Sequence, residues 1–537
     1  MSEHTKKKSF LGGAAILAGA AVVIKVMGAF FRIPLSNIIG SLGMSYYQTG
    51  YPLYNLFLTI STAGIPVPIS RMVSERQAVG RYYEAHRVFR TALILLLFIG
   101  AVSASLLFFG AGAYAESAGI PEATMATRAL APALFFVSVM AAFRGYFQGN
   151  RNMKPTALSQ LFEQFFRVGL GLTLAVVLTS KGLEYAAAGA SFGAAAGGLA
   201  GLITMVVIYF LARESFQKKI KSGSQEPGAP TGKILVQILM IALPITIGSS
   251  IMPLLNMIDV QIVVNRLVAT GYTPEAAKEL FGELTGFAQP LINLPQVLIQ
   301  AIAVSLVPTI AAAYKQKDHE DLSFNIQTGM RTAMIIAMPC AFGMMSLSEP
   351  IMLFLYPAEK ASAISAAPLL FILAFGIIFL SGIQTLTAIL QGIGKQNIPM
   401  INLMIGAVVK VFCTMTLTGI PEINVKGAAI GTVATYFVTF VLNMIAVYRY
   451  TGTRFPLVQI FGRPLVSVAF MSVGAVVGHR AVLALLGSNS LATLAGVAVG
   501  GCLYVIMIFV TKTITPEELT MLPKGDKLAK LFRKIKR

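Results

Sequence analysis

The sequence predicts an all-α polytopic membrane protein of about fourteen transmembrane helices: two pseudo-symmetric six-helix bundles and two further C-terminal helices. Three observations carry this expectation. Of 537 residues, 56% are hydrophobic and 12% charged, about half the charged share of a soluble globular chain. The apolar runs are long and lack the period-two alternation of a barrel strand, so helices must satisfy the backbone inside lipid. The basic residues fall in alternate loops.

Apolar windows bounded by charge, Pro and Gly place spans at 10–38, 45–70, 90–112, 124–147, 156–180, 185–212, 234–264, 284–313, 324–346, 364–391, 398–418, 425–448, 463–484 and 489–512. Each reaches the roughly 20 residues that a hydrocarbon core requires. Fourteen is even, so both termini face one side. Thirty-one of the 42 Lys and Arg fall on that side, among them Lys6 to Lys8, the group from Arg71 to Arg90, then Arg144, Arg151 and Lys154, and the tail. The opposite side holds six: Lys181, Arg266, Lys278, Lys360, Lys426 and Arg480. This bias predicts cytoplasmic termini, and it makes most of the +20 net charge a matter of topology. Nucleic acid is not an expected partner.

The N-terminal run from Phe10 continues through Lys25 and Arg32, too long for a signal peptide, and reads as an uncleaved first span. Cys340, Cys413 and Cys502 sit singly in apolar stretches, a spacing that suits neither disulfides nor a metal site. Gly228 to Lys233 is one residue short of a phosphate loop and is followed by Ile234 instead of Ser or Thr. No nucleophile, base and orienting acid can be grouped, so neither an enzyme nor a cofactor is expected.

The sixth loop, 213–233, collects charge, Ser, Gly and Pro and predicts a cytoplasmic linker between a lobe at 1–212 and a lobe at 234–450. Two additional helices at 451–513 and a basic cytoplasmic tail at 514–537 follow. Gln148-Gly149 before Pro155 is echoed by Gln391-Gly392 before Pro399, and Pro52-Leu53-Tyr54-Asn55-Leu56 by Pro290-Leu291-Ile292-Asn293-Leu294. Such echoes predict a duplicated, parallel six-helix unit enclosing a central cavity, the frame for alternating access. Gly189, Gly193, Gly197 and Gly201 repeat every four residues, a stripe for close helix packing. Pro34, Pro66, Pro68, Pro244, Pro253, Pro290 and Pro295 interrupt spans as hinges or as static kinks.

Charge inside a span is costly and marks candidate sites. Lys25, Gly28 and Arg32 share one face of the first span, suited to an anion, although Arg32 would also snorkel to the surface. Gln160, Glu163, Gln164 and Arg167 form a polar stripe on the fifth span, where Glu163 and Arg167 pair either structurally or functionally. The sequence echo places Lys410 near the Arg167 position of the other half, facing the cavity. Asn256, Asp259 and Arg266 line one stripe of the seventh span, and Asp259 is a candidate seat for a coupling proton or Na⁺. Lys25, Arg32, Arg167 and Lys410 against Glu163 and Asp259 leave two positive charges, a better match to a pyrophosphate than to a cationic drug. In the tail, Leu528, Leu531, Phe532 and Ile535 among Lys527, Lys530, Arg533 and Lys534 suit either an interfacial helix on anionic lipid or a topological anchor.

Phe31-Arg32-Ile33-Pro34, Gly64-Ile65-Pro66 leading to Ile69-Ser70-Arg71, and above all Arg144-Gly-Tyr-Phe-Gln-Gly149 through Lys154-Pro155-Thr156 to Ser159-Gln160 and Glu163-Gln164 resemble the polysaccharide-transport branch of the MOP flippase superfamily. Within it, the chain is similar to the MurJ-type lipid II flippases and stage V sporulation B proteins of Gram-positive bacteria. The resemblance implies the MurJ fold, with two lobes about a cationic cavity and two final helices holding a polyprenyl tail. It implies a bacterial plasma-membrane flippase that moves an undecaprenyl-pyrophosphate-linked precursor, lipid II foremost, to the outer leaflet in peptidoglycan biosynthesis. Another lipid-linked polymer (teichoic acid, capsule or spore cortex) and, further off, a MATE-like drug exporter are the alternatives. The first-helix cations of the family correspond to Lys25 and Arg32. Arginines found elsewhere in the family's second and eighth helices are absent, since Phe57 to Ser61 is uncharged and Leu284 to Ala313 has no Arg. On this reading Lys25, Arg32, Arg167 and Lys410 hold the pyrophosphate, and Asn55, Gln289, Asn293 and Gln300 bond sugar or peptide. Na⁺, a proton or the membrane potential supplies the drive, and cell-wall synthesis machinery is the implied protein partner.

Overall fold

The computed structural model describes residues 3–62, 64–222 and 230–513, and side chains from Gly19 onward except those of 22 and 29. The predicted tail helix around Leu528 lies outside the described residues. Within them the chain is helical, without strands.

Helix α1 (Glu3–Thr62) has 60 residues, about 90 Å of helix and three times the hydrocarbon thickness. It is two spans joined without a loop. Gly40 adopts φ 65°, ψ −175°, a left-handed conformation that a Cβ would oppose, and this single residue kinks the chain between spans. The expected second span, 45–70, is interrupted: α1 stops at Thr62 and α2 (Pro66–Ala78) restarts on Pro66 and Pro68. Proline lacks a donor, which a helix start does not need.

Helices α3 (Tyr82–Ser117), α4 (Thr124–Gly149), α5 (Lys154–Leu178), α6 (Leu183–Ser222) and α7 (Thr231–Ala269) follow the expected third to seventh spans. The expected eighth span, 284–313, is discontinuous. Helix α8 (Pro274–Gly282) passes through a π-helical turn, Glu283–Ala288, into α9 (Gln289–Ile292), and α10 (Gln296–Gln316) restarts after Pro295. Pro290 and Pro295 each remove a backbone donor from one short stretch, so regular helix cannot persist there.

Helices α11 (His319–Ser346) and α12 (Ser348–Leu355) meet at 82°. Then come α13 (Lys360–Gly392), α14 (Asn397–Leu417), α15 (Lys426–Thr451), α16 (Arg463–Leu486) and α17 (Asn489–Val510). Among the described residues twelve helices are long and apolar enough to cross a bilayer, and the bent pair makes a thirteenth. The kink at Gly40 divides the longest of them and brings the number to fourteen. This is a multi-pass membrane protein.

Packing groups the chain into two units: Met1–Pro290 with Thr414–Ala428, and Leu291–Cys413 with Ala429–Arg537. The predicted linker at 213–233 is helical at both ends, since α6 runs to Ser222 and α7 starts at Thr231. Helices α7 and α8 pack with the first unit. Gly64 lets α7 approach, because a Cβ there would strike the Thr246 hydroxyl and the Ala242 carbonyl. Gly282 of α8 presses on the Ser41 carbonyl, while Gln48 Nε2 donates to the Thr285 carbonyl at 2.7 Å and Ser36 Oγ to the Gly286 carbonyl at 3.3 Å. The π turn leaves carbonyls without regular helical partners, and α1 side chains satisfy these two. Lys278 Nζ and Glu122 Oε1, 2.6 Å apart, tie α8 to the turn before α4.

In the second unit, Tyr504 of α17 donates to the Ile335 carbonyl at 2.6 Å. Asn489 Nδ2 and Thr493 Oγ1 converge on the Pro350 carbonyl at 3.1 and 3.3 Å, fixing the bent α12 to α17.

Candidate functional site

Charged and polar side chains meet where α4 faces α5, and the motif from Arg144 to Arg167 explains itself there. Gly145 and Gly149, one turn apart, form the groove in which α2 sits: a Cβ on Gly145 would lie 2.8 Å from Ile69 Cβ, and one on Gly149 2.7 Å from Val73 Cβ. Tyr146 and Phe147 join an aromatic cluster with Phe89, Tyr209 and Phe216 that anchors this end of α4. Arg144 and Gln148, also one turn apart, fall on a different face. They line a cavity of about 360 Å³.

The opposite wall belongs to α5. Pro155 sits at its first turn, and Thr156, Gln160, Glu163, Gln164 and Arg167 then recur on the cavity side. The other side of α5 rests on the glycine stripe of α6. A Cβ on Gly193 would lie 2.6 Å from the Arg167 carbonyl, one on Gly201 3.2 Å from the Ser159 carbonyl, and one on Gly197 would strike the Glu163 carbonyl. The stripe is packing, as four-residue spacing suggests, and it fixes the backbone that carries the charges.

At the cavity wall, Glu163 uses both oxygens. Oε2 accepts from Arg144 Nη2 at 3.0 Å and Oε1 from Arg167 Nη2 at 3.2 Å. Arg144 Nε also donates to Ser159 Oγ at 3.2 Å, and that hydroxyl donates to the Thr156 carbonyl at 2.9 Å. The side chains are 13% (Arg144), 15% (Glu163) and 22% (Arg167) exposed. Two guanidinia on one carboxylate leave a net positive charge in a confined, weakly screened space. Tyr47, Tyr51 and Tyr54 of α1 lie within electrostatic reach of Arg167, and Tyr47 within reach of Arg32 as well.

The structure thus joins Glu163 and Arg167 as the spacing predicts and adds Arg144, which the sequence reading counted only among the basic residues of the cytoplasmic side. Arg144 lies inside α4, because the helix continues to Gly149 to seat α2. Its signal was present as an Arg/Gln pair one turn apart, inside the span and ahead of its end. On α1, Ile24 lines the cavity and a Cβ on Gly28 would lie 3.6 Å from Gln164 Nε2. Lys25 follows Ile24 and is exposed, Arg32 is half-buried two turns on, and Asn55 is half-buried beside Tyr54. Asp259 is buried on α7 and does not line this cavity. Gln289, half-buried, belongs to the first unit. Exposed Asn293 and Gln300 and buried Lys410, 3% exposed, belong to the second. Arg266 is a tie between helices: its Nε donates to the Met415 carbonyl at 3.1 Å.

The second unit has a cavity of about 530 Å³ at the ends of α11, α12 and α16, lined by Glu349, His479, Arg480 and Asn489. It mixes charges of both signs and has no guanidinium pair.

A family model described as polysaccharide biosynthesis protein matches residues 10–314, and the MatE model matches residues 244–416. Stage V sporulation protein B of Bacillus subtilis (strain 168) is 27% identical over 96% of this chain and 98% of its own length. The lipid II flippase MurJ of the same organism is 27% identical over 82% of this chain and 83% of its own. Among solved structures, lipid II flippase MurJ in an inward closed conformation aligns with a TM-score of 0.68 at 14% identity, over 92% of this chain and 98% of that one. An inward-facing multidrug resistance MATE family transporter of the MOP superfamily aligns at 0.68 and 16%, over 80% and 94%. The solved structures establish the MurJ/MATE-like fold, and the first family model spans more than half of the sequence: this chain belongs to the polysaccharide biosynthesis protein family.

Proposed function

We propose that the protein is a flippase that carries an undecaprenyl-pyrophosphate-linked glycan from the inner to the outer leaflet, with lipid II as its substrate. The observation that carries this reading is the pair of guanidinia, Arg144 and Arg167, converging from two helices on one carboxylate at a cavity wall. Guanidinium forks suit phosphate oxygens, and their attraction strengthens where water is scarce. A lipid-linked diphosphate is the membrane-borne anion that needs such a site, since its tail remains in the bilayer while its headgroup crosses. Lys25 and Arg32 flank the path of the headgroup, and Asn55, Gln289, Asn293 and Gln300 are proposed as further contacts, whereas Lys410 is too buried to be one. Each negative charge leaving an inside-negative cell gains about 2.3 kcal/mol per 100 mV, so a diphosphate gains roughly twice that. Asp259, buried on α7, is the proposed seat of any coupling Na⁺ or proton.

The alignment with stage V sporulation protein B covers 96% of the chain against 82% for the lipid II flippase, which favours one second reading: a lipid-linked polymer of another wall layer. The test is lipid II exposure on the outer leaflet of cells depleted of their own flippase and expressing this protein. Restored exposure and growth, lost with Arg144→Gln/Arg167→Gln, is the expected result. A folded, membrane-inserted protein that restores neither overturns lipid II as the substrate.

A further inference from the structure

We propose that Glu163 is a built-in stand-in for the substrate's phosphate: it neutralises Arg144 and Arg167 while the site is empty and releases Arg144 when a diphosphate arrives. The proposal rests on the phosphate-binding reading above and assigns Glu163 to the return of the empty carrier rather than to substrate capture.

The carboxylate spreads its two oxygens over guanidinia from different helices, at 3.0 and 3.2 Å, as two oxygens of one phosphate would. The two contacts differ in kind. Glu163 and Arg167 are one turn apart on α5, so this pair costs little to maintain. The bond to Arg144 crosses from α5 to α4 and is the one an incoming anion displaces. The Glu163 backbone cannot follow, because its carbonyl is pressed beneath Gly197. Its side chain is free to turn within the cavity, whose wall supplies the amides of Gln148, Gln160 and Gln164. Besides the two arginines, Tyr54 of α1 is a titratable group within its reach.

Charge balance makes such a group necessary. With Glu163 the empty site carries one net positive charge; without it, two largely buried guanidinia would stand uncompensated, a strongly unfavourable state. An empty carrier lacking Glu163 therefore loses the counter-ion that lets it close without cargo. In the loaded state the same carboxylate repels the diphosphate. Removing its charge should tighten binding and slow turnover together, whereas a carboxylate that merely holds the arginines in place would weaken binding when neutralised.

The experiment uses full-length protein, with inorganic pyrophosphate as the calorimetric probe and outer-leaflet substrate exposure in cells as the transport readout. Glu163→Gln is expected to bind pyrophosphate about tenfold more tightly, a change of about 1.4 kcal/mol, while exposure falls several-fold. Glu163→Asp, which retains a charge beside Arg167 but is too short to span both arginines, is expected to shift binding in the same direction by about threefold and supplies the answer if the Gln variant does not fold. Weaker binding in a folded Glu163 variant overturns the stand-in role and leaves the phosphate site intact. Wild-type binding that is absent, or indifferent to Arg144→Gln/Arg167→Gln, overturns the phosphate site and this proposal with it.

Discussion

Helices α5 and α14 begin after the same echo, Gln-Gly followed by Pro, yet they use their charged residues in opposite ways. On α5, Arg167 reaches the wall of a cavity and shares Glu163 with Arg144. On α14, Asn402, Gly406 and Lys410 form one stripe directed at α15: Asn402 Nδ2 donates to Asn443 Oδ1 at 2.8 Å, and a Cβ on Gly406 would meet Thr435 and Thr439. Lys410 continues that stripe, which explains why it is only 3% exposed. In the first unit the four-glycine stripe lies on α6, against the far side of α5, and the cavity side of α5 carries large polar side chains. In the second unit the glycine is on the charged helix itself, and close packing takes the face that bears the lysine. The two helices share the pattern of their start and differ in the environment of the charge.

The largest expected effect breaks this comparison at its charged end. Arg144→Gln/Arg167→Gln should reduce outer-leaflet exposure by at least about a hundredfold, since each buried charged contact contributes several kcal/mol. Lys410→Gln, in protein of equal abundance, should leave transport within about threefold of wild type. A reversal of those two results would move the site to the second unit. Next comes Gly197→Leu, which drives a side chain into the Glu163 carbonyl. It should cost about 1–3 kcal/mol or more, read as a lowered melting temperature with loss of pyrophosphate binding. Gly40→Ala should destabilise by about 1–2 kcal/mol through its left-handed backbone, measured by thermal unfolding, with binding unchanged in the folded fraction. The smallest effect belongs to exposed Lys25: Lys25→Gln should weaken pyrophosphate binding by up to about fivefold, and the difference should shrink with added salt.

The span count was legible because hydrocarbon thickness and backbone hydrogen bonding dictate long apolar helices. The Glu163/Arg167 pair was legible because both residues lie on one helix, where spacing alone defines a face. Arg144 was not, since its partner Glu163 lies on a different helix, and spacing along one helix does not define a contact between two. The loopless passage from the first span to the second was also hidden: a lone glycine does not announce its φ. The burial of Lys410 was not legible either, because an echo along the chain carries no information about the neighbours that bury a side chain. Nor did the linker composition at 213–233 reveal that α7 and α8 would pack with the first unit, which rests on contacts at Gly64 and Gly282 far from the loop.

The most direct test of the central claim is flipping of a lipid-linked diphosphate glycan in proteoliposomes under a potential negative on the donor side, with the corresponding monophosphate as comparison. The account predicts transport of the diphosphate by wild type, several-fold slower movement of the monophosphate, and background rates for Arg144→Gln/Arg167→Gln. Undiminished transport by the folded double variant would contradict it.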